Sequence, residues 1–445
     1  MPAPPGPRSV LFGLPLSRTL KRDRLGALAR LAREYGDIAG FRVGPQRLVL
    51  LNHPDYVEDV LVTRARLFKK GRALERAKRL LGEGLLTSEG DLHRRQRRLA
   101  QPAFHKQRIA AYADTMVAHA VRTAARWRDG DTLDISAEMN RLTLTIVGET
   151  LLGTDLEADA GGVREALTKV FEAFPMTMSP FAALLERLPL PIVRRYNRAH
   201  ATLDALIYRI IEERRGRPDD RGDLLSMLML ARDDEADGGR MSDAQLRDEA
   251  MTIFLAGHET TANALAWTWH LLAQHPDAEE RLHREITGAL DGRQAAAADV
   301  PRLPYARMVL AESMRLYPPA WAIGRRAMHD VEIGGYTIAK GTVVLFSQYL
   351  LQRDARFFPN PDRFEPDRWL PQRQQGRPKF AYFPFGGGTR ICIGEPFAWM
   401  EGILVLATLA RRWRMESLET AAVPLQPAIT LRPARGIRMR ARARP

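Results

Sequence analysis

The chain carries a single cysteine, Cys392, in 445 residues. No disulfide can form within it, and no Cys-rich zinc module can stabilise it. The fold must therefore be held by buried apolar surface and satisfied polar groups alone. With 45% hydrophobic residues and this length, a large core is within reach. The same composition excludes wholesale disorder and fibrous repeats. A lone thiol also suits a reducing compartment.

The formal net charge is +14, which in principle suits nucleic acid, anionic membrane or an acidic partner. Only eight of the 67 basic residues are lysines, and the arginines are spread along the whole chain. A nucleic-acid surface needs a clustered basic stripe with interleaved aromatics. Aromatics are only 7% here, so no nucleic-acid partner is expected. The apolar stretch from Val10 to Leu16 is short and broken by Gly13 and Pro15, which argues against a signal peptide. No apolar run approaches the roughly 20 residues that span a bilayer. The expectation is a cytoplasmic protein with no membrane span.

Periodicity assigns the elements. Residues 25–35 have helical spacing, 38–43 and 47–51 read as strands around a Gly-Pro turn, and 55–61 reads as a helix. From about 90 to 290 the pattern is mostly helical, with 161–162 and 216–222 as loops. A long helix is predicted over 242–275 and another over 305–317, stopped by Pro318-Pro319. Short β-prone runs then follow over 330–344, a last helix covers 397–412, and β-like runs finish the chain. The predicted class is mainly α with a minor β part (α+β). It is read as a single domain over 1–445, with a helix-rich core at roughly 85–330 and β-rich parts near 36–52, 330–348 and 415–440.

Residues 383–395 read FPFGGGTRICIGE. A lone cysteine is more often an inert buried hydrophobe than a ligand. Here three glycines precede it and permit a tight turn with positive φ. Gly394 follows it, just ahead of an apolar helix. The thiol would then lie at a helix N-terminus, where the dipole and free N–H groups favour a thiolate. Arg390 adds positive charge two residues before. Phe385, Gly388, Arg390, Cys392 and Gly394 together resemble the haem-binding signature of the cytochrome P450 family, Phe-x-x-Gly-x-Arg-x-Cys-x-Gly. The resemblance implies a helix-rich P450 fold enclosing haem b, with Cys392 as the axial thiolate ligand of its iron.

Three further segments, in the family's order, carry the same resemblance. Glu312 and Arg315 resemble the Glu-x-x-Arg pair, and Pro366-Asp367-Arg368-Trp369 its partner segment. A buried structural network of Glu312, Arg315 and Arg368 is implied. Ala256-Gly257-His258-Glu259-Thr260-Thr261 resembles the oxygen-activation segment of the distal helix. It implies that Gly257 opens room over the iron and that Glu259 and Thr260 are the acid and alcohol of a proton relay. His258 falls at a variable position and is not assigned as a ligand. His93 and Arg97 resemble the Trp-x-x-x-Arg pair that contacts haem propionates, with His93 in the Trp position. Arg325 would be a third propionate base, with Arg326 as its rival. Gln352 stands where many members have His, and carries no functional assignment.

The reaction implied is insertion of one oxygen atom of O2 into a lipophilic substrate, by hydroxylation or epoxidation. By the resemblance, the pocket wall includes Phe254, Leu255, Ala256, Ala320, Trp321, Ala322, Ile323 and Ile429, with residues 80–87 and 171–184. These positions are short of charge, which favours a terpenoid, with fatty acids and steroids as alternatives. The electrons would come from a separate ferredoxin or flavodoxin with its NAD(P)H reductase, docking near Arg94, Arg95 and Arg98. The chain is expected to be a monomer. Two other readings are a haem-thiolate peroxygenase or isomerase, and a haem-binding protein without catalysis. Retention of Glu259 and Thr260 weighs against both.

Overall fold

The computed structural model describes residues 1–8, 13–156, 160–177, 188, 190–216, 221–232 and 239–444. Strands β1 (Ile38–Val43) and β2 (Gln46–Leu51) form an antiparallel hairpin whose turn uses Gly44 at positive φ. Strand β3 (Phe68–Lys70) and helices α1 (Arg72–Leu81), α2 (Gly90–Ala100) and α3 (Ala113–Arg126) follow. After β4 (Thr132–Asp134), three long helices build the interior: α4 (Ile135–Leu151), α5 (Pro191–Arg215) and α6 (Asp243–Gln274). Helix α7 (Pro304–Leu316) leads into β5 (Ile323–Ala327), β6 (Val331–Ile333), β7 (Tyr336–Ile338) and β8 (Val343–Phe346). Helix α8 (Glu395–Arg412) precedes β9 (Trp413–Ser417), β10 (Leu425–Pro427), β11 (Leu431–Pro433) and β12 (Arg438–Ala443).

The largest sheet has the order β1-β2-β8-β5-β3, with β2 and β8 parallel and the other pairs antiparallel. Strands β4, β12 and β9 form a second sheet. The mainly helical class with a minor β part matches the expectation, and most element ends fall within a few residues of it. Three strands were not anticipated: β3, β4 and β5. The first two have only three residues each, too few to show a period of two. Gly161 and Gly162 lie in the first turn of the helix Ala160–Thr177 rather than in a loop. The helix expected over 55–61 is Pro54–Glu58, continued by a π-turn at Asp59–Thr63.

Helix α6 is started by a capping box in which Ser242 and Gln245 exchange side-chain and backbone hydrogen bonds (3.3 and 3.0 Å). It passes through the main core against α4 and α8, and Pro276 follows its end. Between Met251 and Leu272 every residue of α6 is buried except Ala256, Gly257 and Thr260. A helix buried almost all round has no amphipathic stripe to show, and the break at these three positions is where the interior opens.

A polar network ties the stretch before Cys392 to α7. Glu312 receives two bonds from Arg315, at 2.8 Å each, and both side chains are wholly buried. Its carboxylate also accepts from Arg368 Nε (3.1 Å), Trp369 Nε1 (3.1 Å) and the Glu365 backbone N–H (2.9 Å). The guanidinium groups spend their remaining donors on carbonyls of Gln352, Pro359, Asn360, Pro361 and Arg363. Burying two cations and one anion is tolerable only because so many of these donors are satisfied. Gln352, unassigned from sequence, is fully buried. It donates to the carbonyls of Met314 (3.0 Å) and Arg315 (3.2 Å) and accepts from Phe383 N–H (3.3 Å).

Replacing Arg368 by Met keeps the volume and removes the charge. It should lower the unfolding free energy by about 3 kcal/mol, the low end for a broken buried pair, because Arg315 still neutralises Glu312. An unchanged urea midpoint would show that the network adds no stability.

Candidate functional site

The cysteine segment is a hairpin built on glycine. Cys392 N–H donates to Phe385 O (2.9 Å) and closes it. Gly386 and Gly388 have φ of 75° and 65°, a region that L side chains rarely enter. A Cβ at Gly388 would lie 1.9 Å from Leu61 O, and one at Gly387 would lie 2.4 Å from the Phe380 ring. These glycines thus serve the turn and its seating on the neighbouring chain. Phe385 packs against Trp399 of α8 at 5.8 Å between ring centroids.

Cys392 lies just ahead of α8, and the backbone N–H groups of Gly394 and Glu395 point at its sulfur. Enclosure pushes the thiol up, and those N–H groups and the Arg97 charge pull it the other way. The sequence reading expected a favoured thiolate. In the protein alone, desolvation outweighs the helix N-terminus, and a coordinated metal ion would reverse that balance by deprotonating the thiol. The residue is deeply enclosed yet its surface is exposed. It therefore faces an internal space.

The basic residues sort by strand register. Strand β3 pairs with β5 so that Lys70 stands opposite Arg325 and Lys69 opposite Arg326. Alternation puts the two pairs on opposite faces. Lys69 and Arg326 both meet Glu75 of α1. Arg325 is deeply enclosed and donates to Gly324 O (3.1 Å), with no salt-bridge partner among the described residues. Arg326, by contrast, is neutralised by Glu75 on the other face. Lys70, which sequence reasoning missed, is buried and donates to Leu85 O (3.0 Å) and Ser88 O (2.8 Å). Its only sequence signal was the doublet Lys69-Lys70, on a strand too short to recognise.

From α2, His93 is buried, and Arg97 donates to Ile391 O (2.7 Å) next to the cysteine. Arg390 donates to Ser88 O (2.9 Å) and to Glu89 (2.5 Å). The charges are poorly balanced. Burial, then Arg390, Lys70, Arg97 and Arg325, push His93 down to about 3. Burial and Arg390 push Lys70 to about 7 and Arg325 to about 10. Among the described residues, Glu89 is the carboxylate that offsets these charges. A set of basic groups that repel one another around an enclosed thiol fits a ligand carrying carboxylates and a metal, which is the chemistry of haem.

On α6 the sequence-predicted residues divide. Thr260 Oγ1 donates to Ala256 O (2.7 Å), and both residues are accessible. Glu259 is buried, and burial raises its carboxyl above the usual range. Its Oε1 accepts from Thr430 Oγ1 (2.7 Å). Gly257 lies against α4. A Cβ there would point at Val147 (3.2 Å) and Leu151 (3.7 Å) of α4. The missing side chain lets the two helices approach at this level. His258 is buried, its Nδ1 lies 3.0 Å from Phe254 O, and burial pushes it to about 4.

The expected pocket wall divides as well. Ala256 and Ile429 are exposed, and Ala320, Ala322 and Ile323 are half-buried. Phe254 is wholly inaccessible and packs on His258, while Leu255 and Trp321 are buried in the core. In 80–87, Leu80 and Leu81 belong to the core and Leu86 is exposed. Of the expected 171–184 wall, residues 171–177 continue a helix and the remainder lies outside the described residues. Among the basic residues expected to meet a redox partner, Arg94 and Arg98 are exposed, while Arg95 is half-buried and donates to Gly239 O (3.2 Å).

Among the buried acids not anticipated, Glu401 is the least satisfied. Glu401 of α8 is fully buried, and neither carboxylate oxygen has a hydrogen-bond donor of good geometry. The nearby Thr261 hydroxyl donates instead to Gly257 O (3.3 Å). Burial raises Glu401 to about 8. A raised acid stays protonated in the folded state while the unfolded chain ionises. Stability is therefore lost as pH rises between about 4.5 and 8. Glu401→Gln should gain on the parent by about 1.4 kcal/mol per pH unit across that window. Parallel pH–stability curves for the two proteins would refute a neutral Glu401.

The cytochrome P450 family profile matches residues 2–438. The chain is 43% identical to cyclooctatin synthase of Streptomyces melanosporofaciens, over 94% of this chain and 92% of that protein. It is 37% identical to pentalenene oxygenase of Streptomyces avermitilis, over 92% and 91%. Among solved structures it resembles the retinoic acid-bound cyanobacterial CYP120A1, with a TM-score of 0.89, 25% identity and full coverage of both chains.

Proposed function

The chain belongs to the cytochrome P450 family and is a haem-thiolate monooxygenase acting on a lipophilic substrate with O2 and a redox partner, and we propose that its substrate is a terpenoid. What supports this is the terpenoid-modifying relatives, cyclooctatin synthase and pentalenene oxygenase. The accessible residues of the expected wall agree with it. Ala256, Ala320, Ala322, Ile323 and Ile429 offer apolar surface and no charge to anchor a carboxylate.

Cys392, with His93, Arg97, Arg325, Arg390 and Lys70 toward the carboxylates, would hold haem b, which would supply the iron chemistry for O2 activation. The protein's residues do the rest. The Gly386–Gly388 turn fixes the sulfur, and the N–H groups of Gly394 and Glu395 stabilise its negative charge. Glu259 and Thr260 pass protons toward the accessible side of α6. One oxygen atom enters the substrate and the other leaves as water, with two protons and two electrons. The electrons come from a ferredoxin or flavodoxin and its NAD(P)H reductase, docking near Arg94 and Arg98 on the α2 surface. The reading is completed by one P450 domain over 1–445, acting as a cytoplasmic monomer.

An optical titration of the haem-loaded protein tests the substrate class. Cyclic sesquiterpenes and diterpenes should give a saturable Soret shift as they displace water from the iron. A shift with fatty acids or steroids alone would overturn the terpenoid reading. Glu259→Gln should leave that shift intact and lower turnover about 100-fold, the low end for a lost proton donor. Parental turnover in the variant would remove Glu259 from the relay.

A further inference from the structure

The relay carboxyl is held from outside its own helix. Glu259 accepts from the Thr430 hydroxyl at 2.7 Å, and that hydroxyl accepts from Asn263 Nδ2 at 3.2 Å. Asn263 lies one turn after Glu259 on α6, so the two side chains flank Thr430 from one helical face. An amide NH2 can only donate. The Thr430 proton is therefore directed to Glu259. All three residues are buried.

Thr430 has little freedom to move. It sits between β10 and β11, with its carbonyl bonded to Ala428 N–H (3.1 Å). Trp321 Nε1 donates to Ala428 O (3.1 Å), Trp267 Nε1 donates to Leu431 O (3.2 Å), and Leu431 N–H donates to Pro319 O (2.9 Å). In this bolted hairpin the adjacent Ile429 is 39% exposed. Thr260, next to Glu259 in sequence, is bonded to Ala256 and not to the carboxyl.

We propose that Thr430 is a positioning residue for proton delivery: its hydroxyl holds the Glu259 carboxyl in place and joins it to the hairpin that bears Ile429. The proposal rests on the reading of Glu259 as the relay acid. A substrate pressing on Ile429 would act on the segment that holds the acid, so occupancy and proton delivery would be mechanically linked. The hydrogen bond stabilises the ionised carboxyl against burial, and Arg432 acts in the same sense. Losing the hydroxyl therefore leaves Glu259 protonated to higher pH.

The test uses the haem-loaded full chain with Thr430→Val and Thr430→Ser. An infrared pH titration follows the protonated carboxyl band of Glu259, identified by its loss in Glu259→Gln. Thr430→Val should raise the midpoint by about one pH unit, a tenfold change, and Thr430→Ser should restore it. Asn263→Leu should move it the same way by a smaller amount, which keeps the test open if the valine variant does not load haem. With reduced ferredoxin and substrate, Thr430→Val should raise the peroxide-to-product ratio severalfold. An unmoved midpoint in both Thr430→Val and Asn263→Leu, or a valine shift that serine shares, would overturn the proposal. The infrared titration needs neither turnover nor substrate, so it is independent of the terpenoid assignment. If Glu259→Gln keeps full turnover, the relay reading fails while the hydrogen bond itself still stands.

Discussion

The imbalance of charge around the cysteine segment governs the rest of the site. Lys70, His93, Arg97, Arg325 and Arg390 gather where water is scarce, with Glu89 among them. Basic groups so placed repel one another and lose hydration, and both costs grow as the dielectric falls. Only a firm scaffold can hold them. Two come from facing strand positions, two from one face of α2, and one from the glycine turn itself. The arrangement is understandable as half of an interaction whose other half is the cofactor's carboxylates. It also explains why the loop over 82–89 is ordered against the site. Lys70 and Arg390 hold its carbonyls at Leu85 and Ser88, and Glu249 accepts from Leu85 N–H at 3.0 Å.

The Glu312 network is the opposite case. There Glu312 and the half-buried Glu365 answer the two arginines and nearly every other donor ends on a carbonyl, so nothing is left for a ligand. It lies on the chain leading to Cys392, and Gln352 carries the link from Arg315 to Phe383. A satisfied network is rigid, and an unsatisfied one is receptive. The protein places the first behind the second. Position is thereby fixed before the cofactor's charge is met, as a metal site built on a supporting shell requires.

Much of this was legible in the sequence because it rests on short, local, strongly constrained patterns. The FPFGGGTRICIGE segment needs its glycines for positive φ, and Glu312 with Arg315 needs one helical turn. What escaped was non-local. Lys70 and Arg325 become a pair only through a register between strands separated by more than 250 residues. The roles of Thr430 and Gln352 depend on side chains meeting across the fold. Gly257 shows the same limit. A glycine in a helix signals close approach of something, but not of what, and here the neighbour is α4. Phe254 misled because helical neighbours in sequence face different sides. One turn before His258, it points into the core while Ala256 does not.

The accessible positions of α6 carry the last step. A helix buried all round is normally only structure, yet Ala256, Gly257 and Thr260 break its burial at one level. The polar groups nearest that break are turned inward along the helix or across it. Thr260 returns to Ala256 O, Thr261 to Gly257 O, and Glu259 to the β10–β11 hairpin. The space over the break is thus left apolar at rest, while the groups able to move protons are stored one rotation away from it. Such storage suits a reaction in which protons must arrive late and in limited number. A lipophilic substrate meets an apolar wall first, and the acid reaches that space only by giving up its hydrogen bond to the hairpin.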